Sequence, residues 1–255
     1  MGEHVWLSGL GFADDCADPD RSPEGSMVTE PVAFTHAELR HATRAARLCG
    51  LAAERACLEA GRQPATLSTV FSSALGELEI TDRLCTTLVE QPLELSPVLF
   101  HNSVHNTAAG YWAIAAQSRN PCRAVAAGPF SFAMGFLAAL GQLRAEPETP
   151  VLYVYYEMTV PDRLKPVFGS PPARASAFVL ESPKPPDPDR RPRRLLTFEL
   201  RERSLGAAPV PADPWPPAGF GDTSEVAPPP QSRIFPLSEQ HDLILHLAAR
   251  NRPPA

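Results

Sequence analysis

Apolar positions along this chain fall into two alternating kinds of pattern, and each change of pattern marks an element. Residues 5–12, VWLSGLGF, are an apolar run closed by glycines and predict a first strand. Leu39, Ala42, Ala46, Cys49, Ala53 and Ala56 then recur at steps of three and four, which predicts a helix over residues 35–60. Thr35 and Glu38 have the spacing of a capping box at its start, and Gly61 suits its end. So many small side chains on one stripe imply close packing against a sheet. Residues 67–72, LSTVFS, read as a short buried strand, followed by a loop over 73–77 and a helix to about residue 89. Pro92 and Pro97 bracket an extended segment, and residues 107–117 predict a helix containing Gly110.

Residues 123–127 then read as a buried strand, Gly128 and Pro129 as a turn, and Phe132, Phe136, Leu137, Leu140 and Leu143 as the stripe of another helix. Proline suits a first helical turn, where its missing N–H has no partner to lose. Residues 150–156, PVLYVYY, have the unbroken apolar character of a central strand, and residues 173–181 and 194–203 predict two more strands. Residues 237–250, LSEQHDLILHLAAR, predict a short amphipathic helix with Ser238 at its N-cap. Strands separated by helices predict an α/β fold of order βαβαβαββ, with a mostly parallel sheet carrying helices on its faces.

Composition narrows the class. With 255 residues and 44% hydrophobic content, the chain can bury a sizeable core. Sixteen of its 30 prolines fall from Pro183 onward, which divides it into a domain over residues 1–182 and a Pro-rich extension over 183–255, holding one strand and the terminal helix. The formal net charge of −6 argues against nucleic acid as a partner. No apolar run approaches the roughly 20 residues of a membrane span, and the N-terminus lacks the pattern of a signal peptide. Five scattered cysteines without a CxxC pair fit reduced thiols, so a cytoplasmic location is expected.

The junction at Gly128 carries the main chemical clue. A strand that turns sharply into a helix presents its turn residue at a helix N-terminus, where negative charge is stabilised. A cysteine there would be reactive. Here the turn holds Gly128 and Pro129, so the frame of a nucleophile site is present without a nucleophile.

These residues resemble the N-terminal half of the β-ketoacyl synthases, which have the thiolase fold. SPVLFHNSVHNTAAGYWAI, with Ser96, Pro97, Asn106, Ala109 and Gly110, is similar to the synthase stretch entering a helix through Ala-Gly. VAAGPFSFAMGFLAAL is similar to the synthase elbow, and ARASAFVLES to the strand that ends that half. The resemblance covers about residues 5–182 and puts Gly128 on the catalytic cysteine, with Pro129 there if the register slips by one. It implies a vacated nucleophile position and no second half bearing catalytic histidines. It further resembles the short chain-length-factor proteins of aryl polyene pathways. That implies a cytoplasmic, non-catalytic partner of an active β-ketoacyl synthase, forming a heterodimer that works on acyl chains held by an acyl carrier protein. No cofactor is expected.

The resemblance also places Val104 at an acyl-pocket and interface position, where a core valine is the competing reading. His105, Asn106, Pro129, Phe130 and Phe132 join it as pocket or interface candidates. Ser131 with His105 or His101 is a hydroxyl-and-base alternative. His101 and His105 have the spacing of helical metal ligands but lack the HExxH glutamate, so no metal is expected. Arg190, Arg191, Arg193 and Arg194 form a basic run suited to an acidic carrier protein or to solvent. Two other functions compete with the subunit reading: an acyl-thioester decarboxylase or hydrolase working without cysteine, and an acyl-binding scaffold that pairs with itself.

Overall fold

Seven consecutive buried residues, Val151–Glu157 (β4), form the centre of the sheet. The structure, a computed structural model, describes residues 3–14, 41–169, 172–182, 194–202, 231–236 and 241–247. β4 pairs in parallel with β2 (Ser68–Ser72), and β2 in parallel with β3 (Cys122–Val125). On its other side β4 runs antiparallel to β5 (Arg174–Glu181), and β5 to β1 (Glu3–Asp14). β6 (Arg194–Glu202), β8 (His241–Leu247) and β7 (Gln231–Pro236) continue the same sheet, giving the order β3-β2-β4-β5-β1-β6-β8-β7.

The fold is the expected α/β arrangement with helices on both faces, but the sheet is mixed rather than mostly parallel. Parallel pairing is confined to β3, β2 and β4, and the other five pairings are antiparallel. A parallel return needs a crossover, usually through a helix of some length. Between β4 and β5 the described residues offer only the four-residue helix α6 (Lys165–Phe168) and a 3-10 turn, and the chain returns beside β4 in reverse.

The two faces are built differently. On one lie α1 (Arg44–Ala60) and α4 (Thr107–Ala115), packed on Leu152, Val154 and Tyr156 of β4 and on Ala175, Ala177 and Val179 of β5. The stripe of α1 is small: Ala45, Ala46, Cys49, Ala52, Ala53 and Ala56 are all buried. This lets the helix lie on β1 at backbone distance. A Cβ at Gly9 or Gly11 would overlap the carbonyl oxygens of Ala56 and Ala52. On the other face α5 (Ser131–Ala145) packs on Val151, Tyr153 and Tyr155, and the filling is aromatic. Phe132 meets Tyr155 and Phe178 edge-on, and Phe136 meets Tyr153 and Phe198 edge-on. Such pairs each contribute about 1 kcal/mol beyond the area they bury.

Three element boundaries differ from the sequence reading. α1 begins at Arg44, because Thr43 caps it, its Oγ accepting the Ala46 N–H at 3.0 Å. Residues 41–43 are not helical, and the Thr35 capping box lies outside the described residues. The segment between Pro92 and Pro97 is not wholly extended: it includes a 3-10 turn at Pro92–Glu94, and Ser96 then caps a short helix, α3 (Pro97–Asn102). The C-terminal helix is replaced by strand β8, so the extension contributes three strands rather than one. Leu243 and Leu245 are both buried, a period of two, and β6 supplies the hydrogen-bonding partner.

Candidate functional site

Because β2, β3 and β4 are parallel, their C-terminal ends lie together, and α/β sheets place sites at that end. β3 leads to the junction. Gly128 there takes a left-handed φ of 53°, a 3-10 turn Gly128–Phe130 follows, and α5 starts at Ser131. The Ala127 N–H donates to Ser131 Oγ at 2.9 Å, and that hydroxyl donates to the Gly128 carbonyl at 2.8 Å. A Cβ added at Gly128 would meet no atom within 4 Å. The junction therefore has the strand-turn-helix shape of a nucleophile site and open space above its turn residue, but no side chain there.

Ser131 is buried, with its hydroxyl committed to the turn, and its bonds go to Ala127 and Gly128. His105 is engaged elsewhere: its Nε2 lies 3.1 Å from the Ser73 carbonyl oxygen, to which it donates. Cys122 begins β3, well before the junction, and its Sγ donates to the Ala109 carbonyl at 3.7 Å. Burial pushes the Cys49 thiol up, and local desolvation raises that of the surface residue Cys122, so neither is an activated thiolate. The described cysteines, Cys49, Cys57, Cys85 and Cys122, are free thiols.

The remaining candidates separate into surface and core. Val104 is 49% exposed, and Asn106 and Pro129 are exposed. Asn106 occupies the N-cap position of α4 without a side-chain capping bond. Phe130 is partly buried. Phe132, in contrast, is 2% exposed and sits in the aromatic core, so its ring faces no open surface. His101 is exposed at the end of α3. Among the described residues no three His, Cys, Asp or Glu side chains are gathered as a metal site. Arg190, Arg191 and Arg193 lie outside the described residues, and Arg194 opens β6.

Residues 78–104 carry an exposed apolar stretch. α2 (Leu78–Glu90) buries none of its residues. Leu93 is fully exposed, Val89 is 83% and Phe100 is 71% exposed, with Leu88 and Val98 also open. Contiguous exposure of this kind marks interaction surfaces. β3, at one end of the strand order, is exposed at Cys122, Arg123 and Ala124.

Sequence reasoning missed two residues at this end, Glu77 and Glu157. Both are buried. Glu157 accepts from the Ala74 N–H at 2.5 Å and from Ser73 Oγ at 3.2 Å. Glu77 accepts from Thr43 Oγ at 2.5 Å. Burial raises the Glu77 carboxyl to about 7, and it also raises Glu157. An isolated Glu after Gly76 and another closing an apolar strand gave no spacing signal.

Fold and junction together define an α/β domain of thiolase-like kind with a strand-turn-helix junction at Gly128. Residues 21–191 match the β-ketoacyl synthase N-terminal domain family, and the chain belongs to it. No curated protein matches the chain. Among solved structures, it resembles a chain of a ketosynthase (ApeO) in complex with its chain length factor (ApeC) from Xenorhabdus doucetiae. The identity is 19% and the TM-score 0.60, covering 96% of this chain and 99% of that one. It also resembles the ishigamide ketosynthase/chain length factor, at 15% identity and a TM-score of 0.59, covering 78% of this chain and 68% of that one. A β-ketoacyl synthase from Burkholderia phymatum matches at 14% identity and a TM-score of 0.54, over 71% of this chain and 59% of that one. At these identities the likeness is one of fold. No helix among the described residues is long and apolar enough to cross a membrane.

Proposed function

We propose that this protein is a non-catalytic, chain-length-factor-like subunit that pairs with a β-ketoacyl synthase and shapes its acyl tunnel. The partner supplies the reactive cysteine and histidines. The setting is polyketide or fatty-acid-type biosynthesis of the aryl polyene kind, with acyl chains held on an acyl carrier protein. The observation that carries this reading is Gly128: the turn residue of a nucleophile junction has no side chain, and the neighbouring Ser131 hydroxyl is tied into the turn. The exposed apolar segment over residues 88–104 and the outer edge of β3 support a pairing face. The near-complete mutual coverage with a chain of a ketosynthase–chain length factor complex supports it further.

Val104, His105 and Asn106, between α3 and α4, are the residues that would border the shared tunnel. Co-expression with a ketosynthase from the same cell tests the reading. A stable one-to-one complex by native mass spectrometry is expected, with no turnover of acyl- or malonyl-carrier protein by this chain alone. Separate elution of the two proteins at micromolar concentration would overturn it.

A further inference from the structure

The turn over residues 73–77 is where four parts of the fold meet. The Ser73 N–H donates to the Val125 carbonyl at 3.3 Å, joining the turn to β3. Ser73 Oγ accepts from the Leu75 and Gly76 N–H groups at 3.3 and 2.7 Å and donates to Glu157 at the end of β4. His105 donates to the Ser73 carbonyl from outside. Gly76 takes a left-handed φ of 55°, and a Cβ there would press on the His105 ring at 3.1 Å. Finally, Glu77 accepts from Thr43, the residue that caps α1, while its own carbonyl accepts the Thr81 N–H at 3.0 Å and so starts α2.

Two buried carboxylates thus hold the root of the exposed α2–α3 segment, Glu157 on the side of β4 and Glu77 on the side of α1. The rest of the segment is held by polar ties. Arg163 bonds to Asp82 at 2.7 Å, and Asn102 donates to the His41 carbonyl at 3.0 Å. Since α2 buries no residue, little apolar packing resists its opening.

We propose that Glu77 and Glu157 position the segment over residues 78–104, and that ionisation of Glu77 loosens it. The proposal rests on the pairing reading for what the segment meets, but not for the motion itself. Among the described residues, the groups that face Glu77 give it no compensating cation. α1 contributes the Thr43 hydroxyl and the Cys49 thiol, α2 contributes Glu79, and β4 contributes Tyr156 and Glu157. Of the two arginines at the start of α1, Arg44 reaches Thr159 Oγ and Arg47 the Ala42 carbonyl. His105, from the loop before α4, is bonded to Ser73. A proton on Glu77 therefore removes a charge that this site has little means to solvate, and its loss near neutral pH puts that charge back.

Hydrogen exchange of the lone protein at pH 6 and pH 8.5, corrected for intrinsic rates, tests the idea without a partner. Peptides from residues 74–104 are expected to open about fivefold more at the higher pH, while those of α5 stay unchanged. In Glu77→Gln, which keeps an oxygen for Thr43, the pH dependence should vanish. Opening that ignores pH, a rise that survives in Glu77→Gln, or a rise spread evenly along the chain would overturn the proposal. Affinity for the ketosynthase, measured separately, should weaken over the same interval. A missing complex would tell against the pairing reading and leave the exchange result to stand on its own.

Discussion

The two faces of the sheet reach the same degree of burial by opposite means. Under α1 the side chains are so small that helix and strand meet backbone to backbone, with Gly9 and Gly11 beneath Ala52 and Ala56. Under α5 large rings interdigitate, and Tyr153 adds a hydrogen bond to the Phe132 carbonyl at 2.7 Å. A face built on backbone contact has no soft atoms to move aside, whereas a face of rings can repack. The α1 face should therefore be intolerant of single methyl groups and the α5 face tolerant of conservative exchanges.

The sharpest way to break this contrast is Gly11→Ala. Its new methyl meets the Ala52 carbonyl, so urea unfolding should show a loss of about 3 kcal/mol, and wild-type stability would refute the close-contact account. Nearly as large is a pH effect at the polar end of the α1 face. The folded Glu77 carboxyl, raised by burial to about 7, lies above its ordinary value of 4.5, so between those values the folded state binds more protons than the unfolded state. Stability should therefore fall as pH rises through that window, by up to about 3 kcal/mol, and Glu77→Gln should remove most of the fall in denaturant titrations. On the opposite face Phe136→Leu should cost about 2 kcal/mol, chiefly its two edge-on ring pairs, and a larger loss than in Gly11→Ala would reverse the comparison. The smallest effect is expected at Gly128. A methyl there meets no atom, so Gly128→Ala should cost about 1 kcal/mol from the left-handed backbone alone, read as a small drop in melting temperature.

Much of this contrast was legible in the sequence. The spacing of Ala46, Cys49, Ala53 and Ala56 announced a close-packed helix, and PVLYVYY a central strand. The strand, turn and helix around Gly128 were likewise visible, because glycine, proline and a change of period coincide there, although the strand, expected to be buried over 123–127, is Cys122–Val125 and mostly exposed. The losses came where a local pattern had two solutions. Leu243, Ile244 and Leu247 suit a helical stripe, while Leu243 and Leu245 suit a strand, and only the neighbouring strand β6 decides between them. Ser96-Pro97 carried a capping signal for α3 that was outweighed by the two prolines flanking the segment. Glu77 and Glu157 were invisible for a different reason. Their meaning lies in burial and in partners far away in sequence, such as Thr43.

Gly128 leaves open space above a strand-turn-helix junction. A thiol introduced there by Gly128→Cys would sit in the 3-10 turn that leads into the fifteen-residue helix α5, close to the end whose dipole favours a thiolate. No atom within 4 Å would bar that side chain, and once the exposed thiols of Cys85 and Cys122 are replaced the position offers a solvent-facing handle for a probe or a crosslinker.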